Sequence, residues 1–144
     1  MKTLKTEIII DASTKTVWDI LMDHEAYSKW NPFIKSIEGE KSVGDQLKVS
    51  LLQENNKEME FKPIVLNNEK EKEFRWLGHL FVKGLFDGEH YFLLEEISQE
   101  QTRFTHGEKF TGMLSSLLLK MIGDDTKKGF EKMNKALKLK AEQL

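Results

Sequence analysis

The stretch MLSSLLLKMIGDDTKKGFEKMNKALKLKAE, residues 113–142, decides the fold. Leu114, Leu117, Leu118, Met121 and Ile122, then Phe130, Met133, Ala136 and Leu137, recur at three-to-four spacing along one face of a helix. At 1.5 Å per residue such a helix is roughly 45 Å long, enough to cross a whole sheet. Its apolar stripe must be covered, and the strand-like segments before it are the only large partner. One long helix laid into a curved antiparallel sheet tends to leave a hollow, and a hollow implies an apolar small-molecule ligand. Gly123 and Gly129 sit in the helix interior at a cost of about 1 kcal/mol each relative to Ala. Close approach to a neighbouring strand, a bend, or space for a ligand would each offset that cost.

Upstream of the helix the period is two. Phe104, His106, Glu108 and Phe110 share one side of the last strand, and His90, Phe92 and Leu94 alternate against Glu89, Tyr91 and Leu93. Earlier come Phe74, Trp76 and Gly78 behind an Asn67-Asn68 turn, then Met59, Phe61 and Val65 on a face with Pro63, and Leu47, Val49 and Leu51. Pro63 lacks a ladder donor, so it marks an edge or a bulge. Residues 4–10 form a first strand that buries Ile8 and Ile10. Ser13 then caps a helix bearing Val17, Ile20 and Leu21. A second short helix covers His24 to Lys29 and stops because Pro32 disfavours helical geometry at Asn31. The expected architecture is α+β: seven antiparallel strands in a curved sheet around the long C-terminal helix, with two short helices between strands one and two. No linker or repeat interrupts it, so residues 1–144 read as one domain.

Composition excludes several classes. At 144 residues and 39% hydrophobic content the chain can build a real core. A net charge of −2, with both signs scattered, offers no basic face for nucleic acid. The absence of cysteine removes disulfides, thiolate catalysis and cysteine metal sites. Lys5 and Glu7 break the apolar run a signal peptide needs, and Leu117-Leu118-Leu119 ends at Lys120, far short of the ~20 residues that span a bilayer. A cytoplasmic protein without stable membrane insertion is expected, as a monomer or homodimer. No phosphate loop, G-x-G-x-x-G, G-x-S-x-G or H-E-x-x-H is present.

Pairing can be read from the turns. A turn near Gln99 sets Leu94 opposite Phe104, Phe92 opposite His106 and His90 opposite Glu108; one near residue 83 sets Trp76 beside His90. Trp76, His90 and Glu108 then form one transverse row, with Phe74, Phe92 and His106 in the next. Phe86, Phe92 and Leu94 make the even-numbered side the concave one, against Asp87, Glu89 and Glu95 on the odd side. Buried polar groups there need partners, since each one lost costs about 1–3 kcal/mol. His90, His106 and Glu108 therefore have four readings: a structural hydrogen-bond pair, an anchor for a ligand's polar end, a general acid/base set, or a two-histidine-one-carboxylate metal site.

The junction Ile10-Asp11-Ala12-Ser13 with Val17-Trp18 and Leu21, and the run Tyr27-Ser28-Lys29-Trp30-Asn31-Pro32-Phe33, carry a family likeness. Gly44-Asp45, Phe86-Asp87-Gly88-Glu89-His90, His106-Gly107-Glu108 with Phe110 and Gly112, and Gly129-Phe130 with Met133-Asn134 and Ala136-Leu137 extend it over the whole chain. The chain resembles the SRPBCC or START-like superfamily, the Bet v 1-type helix-grip fold, in its bacterial polyketide cyclase/dehydrase-like branch. That resemblance implies carriage of a lipid, isoprenoid or polyketide-like compound, without cofactor or metal. It also admits a cyclase/dehydratase using His90, His106 and Glu108, or an Hsp90-activator-like interaction module. The expected ligand-facing residues are Trp30, Phe61, Phe74, Trp76, Phe86, His90 and Phe92 from the first helices and the sheet. His106, Glu108 and Phe110 join them from the last strand, and Leu117, Met121, Phe130 and Met133 from the helix. Leu80, Phe81, Val82, Leu85 and Phe86 read as an apolar loop: a lid over the pocket mouth together with Leu114 and Leu117, or else a membrane-touching or partner-touching patch.

Overall fold

The computed structural model describes residues 2–80 and 82–143, with the backbone alone at Leu80. β1 (Lys2–Ile10) leads into α1 (Thr14–Met22), where the Ser13 Oγ accepts the Thr16 amide at 3.2 Å and Val17, Trp18, Ile20 and Leu21 are buried. A cap of this kind is worth about 1 kcal/mol. A 3₁₀ turn, His24–Ala26, runs into α2 (Tyr27–Trp30). The helix stops at Asn31, which precedes Pro32 and has extended backbone. The Asn31 side-chain oxygen accepts the amides of Phe33 and Ile34 at 2.9 and 2.8 Å, turning the chain into the next strand.

That strand is β2 (Ile34–Glu38), which joins β3 (Lys48–Leu52) and β4 (Glu58–Phe61) in a three-stranded sheet. β5 (Ile64–Glu69), β6 (Glu73–Leu80), β7 (Phe86–Ser98) and β8 (Gln101–Thr111) complete a five-stranded sheet with β1, in the order β1-β8-β7-β6-β5. The described residues thus form eight strands in two sheets rather than the expected seven in one. The difference lies at Lys62-Pro63: the expected fourth strand is cut by the residue that cannot donate to a ladder, giving β4 on one side and β5 on the other. The two sheets stay joined, because the Leu47 amide donates to the Pro63 carbonyl at 2.8 Å and the Val65 amide to the Asp45 carbonyl at 2.9 Å.

The register of the large sheet follows the turns. Trp76 pairs with His90, Phe74 with Phe92, His90 with Glu108, Phe92 with His106 and Leu94 with Phe104. β6 and β7 reach further than expected, so Leu80 and Phe86 are strand ends and not loop residues. Val82 is exposed and Leu85 half-buried between them; Phe81, expected in the same patch, lies outside the described residues.

α3 (Ser115–Glu142) spans 28 residues and behaves differently along its length. In its C-terminal half Phe130, Met133 and Leu137 are fully buried against the sheet. In its N-terminal half Leu117 and Met121, expected to face a ligand, are 58% and 69% exposed. The two glycines also differ. A Cβ on Gly129 would lie 2.5 Å from Cδ1 of the buried Phe33 ring, whereas one on Gly123 would meet only Leu119 at 3.9 Å. Close packing therefore explains Gly129, and nothing in the structure requires Gly123. Gly123→Ala is expected to stabilise the protein by up to about 1 kcal/mol through helix propensity. Gly129→Ala is expected to destabilise it by about 1 kcal/mol, because displacing Phe33 outweighs the same gain. Denaturant unfolding of the two variants checks the opposite signs.

His24 is buried in the 3₁₀ turn against Tyr27 and Phe74, at ring separations of 5.2 and 5.6 Å, and neither ring nitrogen has a hydrogen-bond partner. Burial, with a smaller contribution from Lys41, pushes its pKa down to about 3. The unfolded chain binds this proton near pH 6.5 and the folded one does not, so stability falls as pH drops from 6.5 toward 3. At pH 5 the loss from this group is about 2 kcal/mol. His24→Phe is expected to gain that amount on the wild type between pH 7.5 and pH 5. Equal pH slopes in urea-unfolding series of the two proteins would show the assignment to be mistaken.

Candidate functional site

The concave face of the large sheet is built in rows. Phe74, Phe92 and His106 form one row; Trp76, His90 and Glu108 the next; Gly78, Gly88 and Phe110 the one after. In the first two rows the side chains interlock. Trp76 stacks on His90 at 4.8 Å, and Phe130 of α3 lies flat on His106 at 4.1 Å. In the third row two paired glycines carry no side chains of their own, and only the Phe61 ring and the Glu108 carboxylate lean toward their backbone. A cavity of about 180 Å³ opens over them.

Its aromatic walls are Phe61, Phe86 and Phe110 from the strands and Phe33 packed on Gly129 of α3. The mouth is formed by the β3–β4 hairpin, from Leu51 to Asn55 with Met59, and by Ile122, Asp125 and Thr126 of α3. Glu108 and His90 supply the polar side. A Cβ on Gly88 would fall 2.0 Å from Glu108 Oε2, so glycine at that position is what admits the carboxylate to the cavity wall.

Glu108 is the outer end of a line of buried hydrogen bonds. Glu108 Oε1 meets His90 Nδ1 at 3.0 Å, His90 Nε2 meets His106 Nε2 at 2.7 Å, and His106 Nδ1 meets Asn134 Oδ1 at 3.0 Å. Asn134 Nδ2 donates to Thr6 Oγ1 at 2.8 Å, and that hydroxyl donates to the His106 carbonyl at 2.8 Å. Burial, reinforced by the neighbouring His90, pushes the His106 pKa well below its ordinary value, while its bond to Asn134 opposes the shift. Burial and the His90 neighbour both favour the neutral form of the His106 ring. The two imidazoles and the carboxylate face one another in a line. Among the described residues no group of three His, Cys, Asp or Glu gathers as metal ligands would.

Of the residues expected to face a ligand, Phe61, Phe86, His90, Glu108 and Phe110 line the cavity. Phe74, Trp76, Phe92, His106, Phe130 and Met133 do not; they are 0–1% exposed and fill the solid rows beside it. Trp30 is half-buried against Tyr27 at 5.2 Å and stands outside the cavity, as do Leu117 and Met121. The hollow is displaced along the strands by one row from its expected place. Gly78 and Gly88 were the missed signal: once Trp76 is paired with His90, these two glycines must face each other two residues on. The contributions of Phe33, the β3–β4 hairpin, Asp125 and Thr126 depend on how the small sheet and the helix sit over the large sheet, which strand alternation does not specify.

Comparison with solved structures places the fold. A START superfamily protein from Mycobacterium smegmatis matches with a TM-score of 0.74 at 20% identity, covering 98% of this chain and 97% of that one. The Zhui aromatase/cyclase from Streptomyces sp. R1128 matches at 0.81 and 11% identity, over 99% and 94% of the two chains. A protein from Thermus thermophilus matches at 0.75 and 16%, over 99% and 98%. At these identities the likeness is one of fold. No curated protein matches the sequence. The family of polyketide cyclase / dehydrase and lipid transport proteins matches across residues 1–142, nearly the whole chain, and carries the helix-grip arrangement seen here; the protein belongs to that family.

Proposed function

We propose that the protein binds a small apolar molecule in the cavity between the glycine row of the sheet and the N-terminal half of α3, as a carrier or sensor rather than a catalyst. One observation carries the reading: an aromatic-walled hollow with a single carboxylate at its inner edge, within a family whose fold is built to bind ligands. Size narrows the class. An engineered cavity of about 150 Å³ accepts benzene, so 180 Å³ holds one ring or a short branched chain. A longer lipid, isoprenoid or polyketide would insert one end and leave the rest at the mouth. Among the described residues no helix is long and apolar enough to cross a membrane.

Native mass spectrometry of protein purified without detergent, followed by titration with single-ring apolar probes, tests this. Gly78→Val puts a strand-favouring side chain against the Phe61 ring and pushes that ring into the cavity. It is expected to reduce probe affinity at least about tenfold, the effect of roughly 1.4 kcal/mol, while the unfolding transition stays cooperative. No binding of any probe to the wild type would remove the proposal.

The line from Glu108 through His90 to His106 favours one second reading, a cyclase- or dehydratase-like acid/base role in which Glu108 Oε2 takes a proton from a bound substrate. On that reading Glu108→Gln abolishes turnover while substrate affinity stays within a few fold. Affinity and turnover falling together would count against it.

A further inference from the structure

We propose that the cavity selects ligands whose polar end is a hydrogen-bond donor, such as a phenol, alcohol or amine on a single ring, and discriminates against ethers, ketones and carboxylates. The inference rests on the binding role proposed above and deepens it. It follows from tracing hydrogens along the buried line, starting at the end where they are fixed.

Thr6 has one hydroxyl hydrogen, and it is given to the His106 carbonyl. Thr6 Oγ1 can then only accept from Asn134, which points the Asn134 amide NH₂ at Thr6 and its oxygen at His106. His106 Nδ1 must therefore carry a hydrogen. With His106 neutral, its Nε2 is a lone pair, so His90 Nε2 donates to it. What remains is the contact between His90 Nδ1 and Glu108 Oε1 at 3.0 Å. Two bare acceptors facing each other there would repel, so one proton lies between them, on the ring or on the carboxyl. Moving the charge inward to His106 changes only which donor faces which acceptor and leaves the Glu108 end carrying no further hydrogen. In each of these arrangements Oε2, the oxygen on the cavity side, holds no proton and can only accept.

The surroundings agree with that polarity. The titratable side chains among the described lining residues are those of Glu54, Glu108, Asp125, His79 and His90, with no lysine or arginine. Glu54 is paired with Lys132 at 2.9 Å, which leaves Asp125 at the mouth facing incoming ligand. Four phenylalanine rings, Phe33, Phe61, Phe86 and Phe110, bound the rest; aromatic faces also favour a cationic amine over an anion.

Two isomers separate the idea from simple greasiness. p-Cresol and anisole have the same atoms and nearly the same volume, but only p-cresol has a donor. In amide NMR titrations reporting on Gly88 and Phe110, p-cresol is expected to bind about fivefold or more tightly than anisole, the size expected of one hydrogen bond. Benzylamine should also bind, and benzoate should be weaker than anisole. Glu108→Leu should bring the p-cresol to anisole ratio close to one. Glu108→Gln should keep the preference for p-cresol, because its NH₂ can satisfy His90 Nδ1 while its oxygen faces the cavity, yet bind benzylamine more weakly than the wild type does. Equal binding of p-cresol and anisole by the wild type, or tighter binding of benzoate, would overturn the donor rule and leave the binding role standing. Failure of all four probes would overturn both.

Discussion

The line of hydrogen bonds from Thr6 through Asn134, His106 and His90 to Glu108 is the constraint on which the rest of the structure depends. Polar groups this deeply buried must be paired, and these four contacts tie β1, β8 and β7 to α3. Asn134 has to face His106, which sets the rotation of the long helix. Phe130 and Met133 then fall onto the sheet, and Phe130 comes to rest flat on the His106 ring. The same line holds Glu108 by one oxygen and leaves the other facing the cavity. Core packing and the chemistry of the pocket are two ends of one arrangement.

Solid core and hollow divide the concave face between them. Where Phe74, Trp76, Phe92 and His106 stand, aromatic contacts at 4.8 to 6.0 Å fill the space under the C-terminal half of α3. Where Gly78 pairs with Gly88 only the Phe61 ring and the Glu108 carboxylate lean over the backbone, and a cavity remains beside them, bordered by Ile122, Asp125 and Thr126 of the helix while Leu117 and Met121 turn outward. The fold is shared with solved structures of low sequence identity, so what sets this chain apart lies in its side chains, and on the proposed reading in this one row and the atoms that border it.

Much of this was legible in the sequence, and the limits have a physical origin. Turn positions and alternation pair strands residue by residue, which is why Trp76 with His90 and His90 with Glu108 follow from the chain alone. Capping chemistry is equally local, so Ser13 and the stop at Asn31 follow too. The rotation and offset of α3 over the sheet are set by contacts more than a hundred residues apart, such as Asn134 with Thr6. No local rule states them, and the cavity was accordingly placed a row away, with Phe92 and Phe130 as walls instead of core. The division at Lys62-Pro63 was half visible. Pro63 announced a break in the ladder, but whether the chain bulges or changes sheets depends on Leu47 and Asp45 arriving to pair with it.

The glycine pair has a consequence for how such a protein can diverge. Gly88 is locked, because any side chain there would collide with the Glu108 carboxylate. Gly78 is not: its nearest obstacle is the half-buried Phe61 ring at 3.1 Å, and no polar group depends on it. A side chain at this one position presses on the Phe61 ring, which lines the cavity, and so changes the cavity's shape without orphaning a hydrogen bond or disturbing the interlocked rings of the solid rows. A lineage could reshape the hollow there in a single mutational step and keep its architecture.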